Sequence, residues 1–265
     1  MADDSAPRGR IVLAIDTGSL TAPALEAAAA LATGMQAELV ALFVEDERLL
    51  RLATLPFAHE IGFPSAKLQR IGLADMEKAF RVQAEQLRRS LEEAARRLAL
   101  VWTLEVTRGE ILAASLARTR PEDLLVVGRG RRGGFALGGR PGEPGPFRAL
   151  AARPVMVLFD PSASGARALA AGLALTQTVA TDLAVLIAAP SPEAFRGARE
   201  RAGAWLADHD AAARYLFLPA GDAHALARVV RAHGAGALVW PAAHPEPRVL
   251  AELLEEMGCP VVLLE

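Results

Sequence analysis

The chain has one cysteine, Cys259, so no disulfide can form within it. Aromatic residues make up only 5% of the sequence against 52% hydrophobic residues, so the core must be built from Ala, Leu and Val, as where helices pack closely on a parallel sheet. An excess of one charge is also missing. The 29 Lys and Arg nearly balance the 31 Asp and Glu, and the net charge of -2 supplies no field to gather nucleic acid or an anionic membrane. No apolar run reaches the ~20 residues of a membrane span. The start Met1-Ala2-Asp3-Asp4-Ser5 carries acids rather than a basic, apolar export signal, which predicts a cytoplasmic protein without membrane insertion. His59, His209, His224, His233 and His244 have no i, i+4 pair and no cysteine partner, so no metal ligands are assigned. No serine sits in a nucleophile elbow, and Asp222 near His224 lacks a companion nucleophile. No acid/base pair stands out, which predicts a protein that is not an enzyme, with no catalytic residues. Cys259, beside a terminal apolar run, reads as a small buried hydrophobe.

What is present is an internal repeat. The run Arg10-Ile11-Val12-Leu13-Ala14-Ile15-Asp16-Thr17-Gly18-Ser19, apolar and ending in an acid and a small-residue turn, returns as Val155-Met156-Val157-Leu158-Phe159-Asp160-Pro161-Ser162. An alanine-rich stretch follows each copy. Then Ala37 to Asp46 is answered by Asp182 to Ala189, and Arg153-Pro154-Val155-Met156-Val157-Leu158 by Cys259-Pro260-Val261-Val262-Leu263-Leu264. A repeat sets the number of folding units before any motif is read. It predicts two related α/β units, residues 1–154 and a shortened copy, residues 155–265.

The local patterns agree. Ile11 to Ile15 is a continuous apolar run that suits a central strand buried on both faces. Thr21 is placed to cap the next helix and Gly34 to stop it. Residues 37–44 form the second strand, so the β-helix-β order implies a parallel sheet. Residues 47–72, punctuated by Pro56, Gly62, Pro64 and Gly72, read as an irregular loop rich in Leu. Leu73, Met76, Phe80, Leu87, Leu91 and Leu98 recur at helical steps and predict a long amphipathic helix, a core or interface element. Strands follow at 101–106 and 123–127 around a helix at 111–120, then a glycine-rich loop from Gly128 to Gly145. The second half reads as a helix over 191–209, strands at 215–218, 237–240 and 260–264, and helices at 222–233 and 247–257. Val155 to Phe159 is claimed twice, as the last strand of the first unit and the first of the second. Either the units are fused through it or one equivalent strand has been lost.

This arrangement resembles the universal stress protein family in its tandem form. The residues that carry the likeness are Ile11 to Ser19, Leu42-Phe43-Val44-Glu45-Asp46, Arg108-Gly109-Glu110, Asp123 to Gly134 and Arg153-Pro154-Val155. The resemblance implies two doubly wound parallel-sheet units of strand order 3-2-1-4-5. In the nucleotide-binding branch it also implies ATP at the carboxyl edge where strand order reverses, as the switch-point rule expects. By that likeness Asp16, Thr17 and the Val44 backbone hold the adenosine end, and the loop takes the phosphates.

The family's phosphate motif, G-x2-G-x9-G-[ST], is altered here. Counting from Gly128, the second glycine position holds Arg131, the third Pro141 and the hydroxyl position Gly142. Pro141 donates no amide, Glu143 adds negative charge, and Pro144 and Pro146 delay the next helix, all against phosphate binding. Arg129, Arg131 and Arg132 offer charge-assisted hydrogen bonds in compensation, and Gly130, Gly133 and Gly134 a different amide nest. The cofactor-binding set is therefore Asp16, Thr17, Val44, Gly128, Arg129, Gly130, Arg131, Gly133 and Gly142, with ATP or a related adenine nucleotide as ligand. The G-x-G-x-x-G at Gly128 to Gly133 follows the fourth strand rather than the first and is read as a chance dinucleotide match. Trp240-Pro241-Ala242-Ala243-His244 replaces the loop in the second half, which predicts no nucleotide there.

The expected role is a non-enzymatic stress-response or signalling module with protein partners or a homodimer, its contact surface formed by loop 49–57 and the last strand near Cys259. The rival class is a nucleotide hydrolase or adenylate-using transferase on the same scaffold. It requires a base and metal ligands beside the loop, where only Asp16 stands. A third reading is an adaptor that regulates a partner such as a transporter.

Overall fold

The computed structural model describes residues 9–16, 22–55, 59–62, 67–70, 72–128, 148–219, 223–241 and 250–264, apart from 251, 253 and 255. β1 (Arg10–Asp16) begins the fold. Its alternate residues Ile11, Leu13 and Ile15 enter one apolar layer and Val12 and Ala14 the other, so it is buried on both faces. α1 (Ala22–Met35) leads to β2 (Glu38–Asp46). Thr21, the expected cap of α1, lies outside the described residues. Gly34 does not stop the helix; the left-handed turn falls at Gln36, with φ 53°. Gly34 instead permits close packing, since a Cβ there would sit 2.6 Å from Thr178 Oγ1.

The segment expected to be irregular is partly ordered. Asp46 caps α2 (Glu47–Ala53) by accepting the Arg48 N–H at 2.8 Å, and β3 (His59–Gly62) pairs antiparallel with β4 (Lys67–Arg70). An acid at the cap followed by Glu47 is a helix start that the nearby prolines and glycines obscured. α3 (Leu73–Leu98) buries Phe80, Leu87 and Leu91 as its spacing predicts. β5 (Trp102–Gly109), α4 (Ile111–Leu116) and β6 (Leu124–Val127) follow, then α5 (Arg148–Ala151). The remaining elements are β7 (Val155–Phe159), α6 (Ala163–Val179), β8 (Leu183–Ala189), α7 (Pro192–Ala207), β9 (Arg214–Pro219), α8 (Ala223–Ala232), β10 (Ala237–Pro241) and β11 (Val261–Leu264).

All the strands except the β3–β4 pair join one nine-stranded sheet of order β5-β2-β1-β6-β11-β10-β7-β8-β9. β5-β2-β1-β6 is the order 3-2-1-4, and β9-β8-β7-β10 repeats it. β7 therefore pairs with β8 and β10 and with nothing in the first run. The double claim on Val155 to Phe159 resolves to loss: the first run has no fifth strand of its own. β11 fills that place and pairs antiparallel with β6, Val262 opposite Val126, while running parallel to β10. The sheet is parallel everywhere but at this seam. The carboxyl ends of the two runs consequently lie on opposite edges of the sheet.

β11 is interior and fully buried, and Cys259 just before it is 5% exposed, so the last strand is not a contact surface as expected. Burial pushes the Cys259 thiol up to about 12. One face of the sheet is covered by α1, α3, α6 and α7, the other by α4, α8 and the helical residues Leu250, Leu254 and Met257. α1 packs against α6 across the seam, with small residues buried along both. In α6 a Cβ on Gly172 would fall 2.3 Å from Val157 Cγ2, so only glycine lets the helix approach the sheet this closely.

Candidate functional site

In the first run the chain leaves β1 for β2 on one side, while β6 lies on the other, so strand order reverses between β1 and β6. A cleft opens outside the carboxyl ends at such a point. The register brings Asp16 opposite Val44 and Ala14 opposite Val127, so Asp16, Val44 and Gly128 share one edge. Val44 and Gly128 are buried and Asp16 is half-buried. Thr17, Arg129, Gly130, Arg131, Gly133 and Gly142 lie outside the described residues.

Charged groups from three other elements meet this edge. Asp46, two residues past Val44, takes Arg48 Nε at 3.2 Å and Arg48 Nη2 at 3.3 Å. The Arg48 guanidinium is raised above its ordinary value, first by the Asp46 hydrogen bond and charge and, against the opposing effect of burial, to a smaller extent by the charges of Glu110 and Asp16. Gly109, paired with Asp46, leads directly into Glu110 at the cap of α4. Arg108 donates to Glu45 at 2.7 Å and lies 3.7 Å from Glu77 on α3, and the Glu45 contact raises its guanidinium. Acids outnumber cations at the described edge, with Arg48 paired to Asp46 and Arg108 to Glu45. The edge offers acceptors for hydroxyl and amino donors, while phosphate oxygens need cations from the segment that starts at Gly128.

The family resemblance picks out Asp16, Val44 and Gly128 but does not include Arg48, which the sequence reading leaves in an irregular loop. The signal was available: Asp46-Glu47 opens a helix, and a helix first turn at the end of β2 puts Arg48 over the edge. An open groove along α3, lined by Asp75, Lys78, Val82 and Gln83, includes none of the three edge residues. Among the described residues no group of three or more His, Cys, Asp or Glu is placed to hold a metal. No described helix is long and apolar enough to cross a membrane.

The second run reverses order between β7 and β10. There Asp160 Oδ1 accepts the Ser162 N–H at 2.9 Å and also the Ser162 hydroxyl, and Ser162 Oγ accepts the Gly165 N–H at 3.1 Å. A Cβ on Gly165 would lie 1.9 Å from the Asp160 carbonyl oxygen. α6 thus starts directly on the end of β7, and the acid equivalent to Asp16 is used as a turn and cap acceptor.

Residues 7–138 match the model of the Universal stress protein family. Among solved structures, the chain is similar to a universal stress protein from Archaeoglobus fulgidus, with 9% identity over 97% of this chain and 98% of that one and a TM-score of 0.53. It is also similar to a putative universal stress protein from Pseudomonas aeruginosa (15% identity, 98% and 94% covered, TM-score 0.48). A further similarity is to the cytoplasmic domain of a prokaryotic cation chloride cotransporter (9% identity, 97% and 95% covered, TM-score 0.48). No curated protein matches in sequence.

Proposed function

Because residues 7–138 form a domain of the universal stress protein family, we propose that this chain is a cytoplasmic, non-enzymatic stress-response or signalling module whose first half binds ATP or a related adenine nucleotide. One observation carries the reading: Asp16, Val44 and Gly128 lie together at the carboxyl edge where strand order reverses. In this reading residues 155–265 are a second, degenerate copy of the family unit, supported by the repeated 3-2-1-4 strand order. The Asp16 carboxylate and Val44 backbone take the adenosine end, with Thr17 beside them and Arg48 and Glu110 shaping the wall. Gly128, Arg129, Gly130, Arg131, Gly133 and Gly142 supply the phosphate contacts, arginine charge standing in for the altered glycine pattern. The second-run edge takes no nucleotide, because Asp160 and the α6 start already fill one another's hydrogen bonds.

The test is calorimetric titration with Mg-ATP and with adenosine, for the wild type and Asp16→Ala. Micromolar binding of ATP that weakens at least tenfold in the variant supports the reading; absence of binding up to about millimolar ligand overturns it.

A further inference from the structure

The two outer strands of the sheet, β5 and β9, differ in how their flanking charges are used. At β5, Arg108 is paired with Glu45 and Glu77, and Arg118 reaches Thr107 at 2.9 Å and Glu105 at 3.7 Å. β9 pairs only with β8, so its outer backbone groups have no strand partner. Tyr215 and Phe217, two residues apart, share the face that carries α7. Phe195 of α7 meets Phe217 edge-on with centroids 5.3 Å apart, Arg199 lies over the Tyr215 ring at 5.3 Å, and Gly203 leaves room for the Tyr215 hydroxyl.

Those contacts fix which flank of α7 overlooks β9. Arg196, Arg199 and Gly203 recur along it at i, i+3 and i+7, while Glu193 and Glu200 fall on the side opposite the buried Ala202. Arg214 starts β9 itself and is exposed. Among the described residues none of Arg196, Arg199 and Arg214 has a carboxylate in ion-pair range. Phe217 stays 43% exposed on the face shared with Arg196 and Arg199. On the α7 face a free strand edge, an exposed aromatic ring and two cations, Arg196 and Arg199, thus run side by side, while Arg214, one residue before Tyr215, projects from the opposite face of the same edge.

We propose that β9 is a docking edge for an extended, acidic peptide segment of a partner protein, which adds as a further strand. Backbone hydrogen bonds along β9 hold the main chain; on the α7 face an apolar side chain covers Phe217 and Phe195 and a carboxylate two residues along meets Arg196 and Arg199, and on the other face a carboxylate meets Arg214. A second copy of this chain is the poorer occupant, because β9 against β9 brings two sets of arginines to one seam. The inference is independent of nucleotide binding at the first-run edge.

Fluorescence anisotropy with a labelled, extended peptide of Glu residues around one central Val, which presents carboxylates on both faces, tests it on the full chain, beside the same peptide with Lys for Glu. The expected result is a Kd of about 10–100 µM for the acidic peptide. That affinity falls about tenfold in Arg199→Glu/Arg214→Glu and in ~0.5 M salt, with weaker loss in Phe217→Ala. All three side chains are solvent-facing or edge positions, and unchanged circular dichroism confirms that the variants fold. Equal binding of the Lys peptide, binding indifferent to the charge reversal, or no binding up to about millimolar peptide overturns the proposal. So does tighter binding of single-stranded oligothymidylate, or a dimer that the reversal dissolves.

Discussion

At the end of β1 Asp16 stands at a switch-point edge opposite Val44, with its charge felt by Arg48; at the end of β7 Asp160 is bound by Ser162 and pressed against the first turn of α6. The strand order around the two acids is the same. The difference lies in the connection to the next helix: residues 17–21 separate β1 from α1, whereas residues 160–162 alone separate β7 from α6. The opposite ends of the runs differ too. In the first, Arg10 Nη2 donates to the buried Asp123 at 2.8 Å, and Asp123 also accepts the Arg120 N–H. In the second, the matching junction has no ion pair among the described residues: the Gly236 N–H donates to Pro154 O at 2.9 Å, and glycine admits Arg153 beside it. One topology tolerates a buried charge pair or a close backbone contact at the same joint, and a longer or a shorter connection from the acid to the next helix at the other. Topology therefore locates a site, and the first residues after the strand decide whether it is one.

Breaking the joint of the first run has the largest expected effect. Asp123→Ala strips Arg10 of its carboxylate and leaves a partly buried cation, and a loss of about 3–5 kcal/mol is expected in urea unfolding. Gly165→Ala attacks the closed edge, where the new Cβ must displace the Asp160 carbonyl; about 1–3 kcal/mol should be lost with first-run ligand binding unchanged. At the seam, the Cys259 thiol sits at about 12 against an ordinary 9.0, so the folded state holds its proton more tightly than the unfolded chain. That contribution is whole below pH ~9 and drains away as pH climbs toward ~12. Wild type minus Cys259→Ala stability, measured across alkaline pH, should fall by up to ~1.4 kcal/mol per pH unit in that window and stay flat below it. Gly236→Ala should be mildest, about 1 kcal/mol, because its Cβ would lie 3.1 Å from Arg153 Cβ and 3.2 Å from Arg153 O, tight but far less so than at Gly165.

Much of this comparison could be read from residues alone. The apolar runs at Ile11 and Val155, the acid that ends each, and the helical stripe through Phe80, Leu87 and Leu91 carry strong local periodicity, so strands and helices were legible. The fate of Val155 to Phe159 was not legible, since a strand's neighbours are chosen by long-range packing and both of its flanks matched. Nor was the antiparallel β6–β11 seam, which joins segments over a hundred residues apart. Asp16 and Val44 were visible as strand ends, whereas Arg48 depended on recognising a short capped helix among prolines and glycines. The basic, aromatic rim of β9 went unseen because its residues come from two elements and converge only when α7 lies on the sheet.

The most direct test of one open and one closed edge is an amide chemical-shift titration of the isotope-labelled chain with Mg-ATP. Shifts at Asp16, Val44, Glu110 and Gly128 that saturate at one ligand per chain, with Asp160, Gly165 and Ala189 unmoved, are the predicted result. Shifts centred on Asp160 and Gly165, or none at either edge, would contradict it.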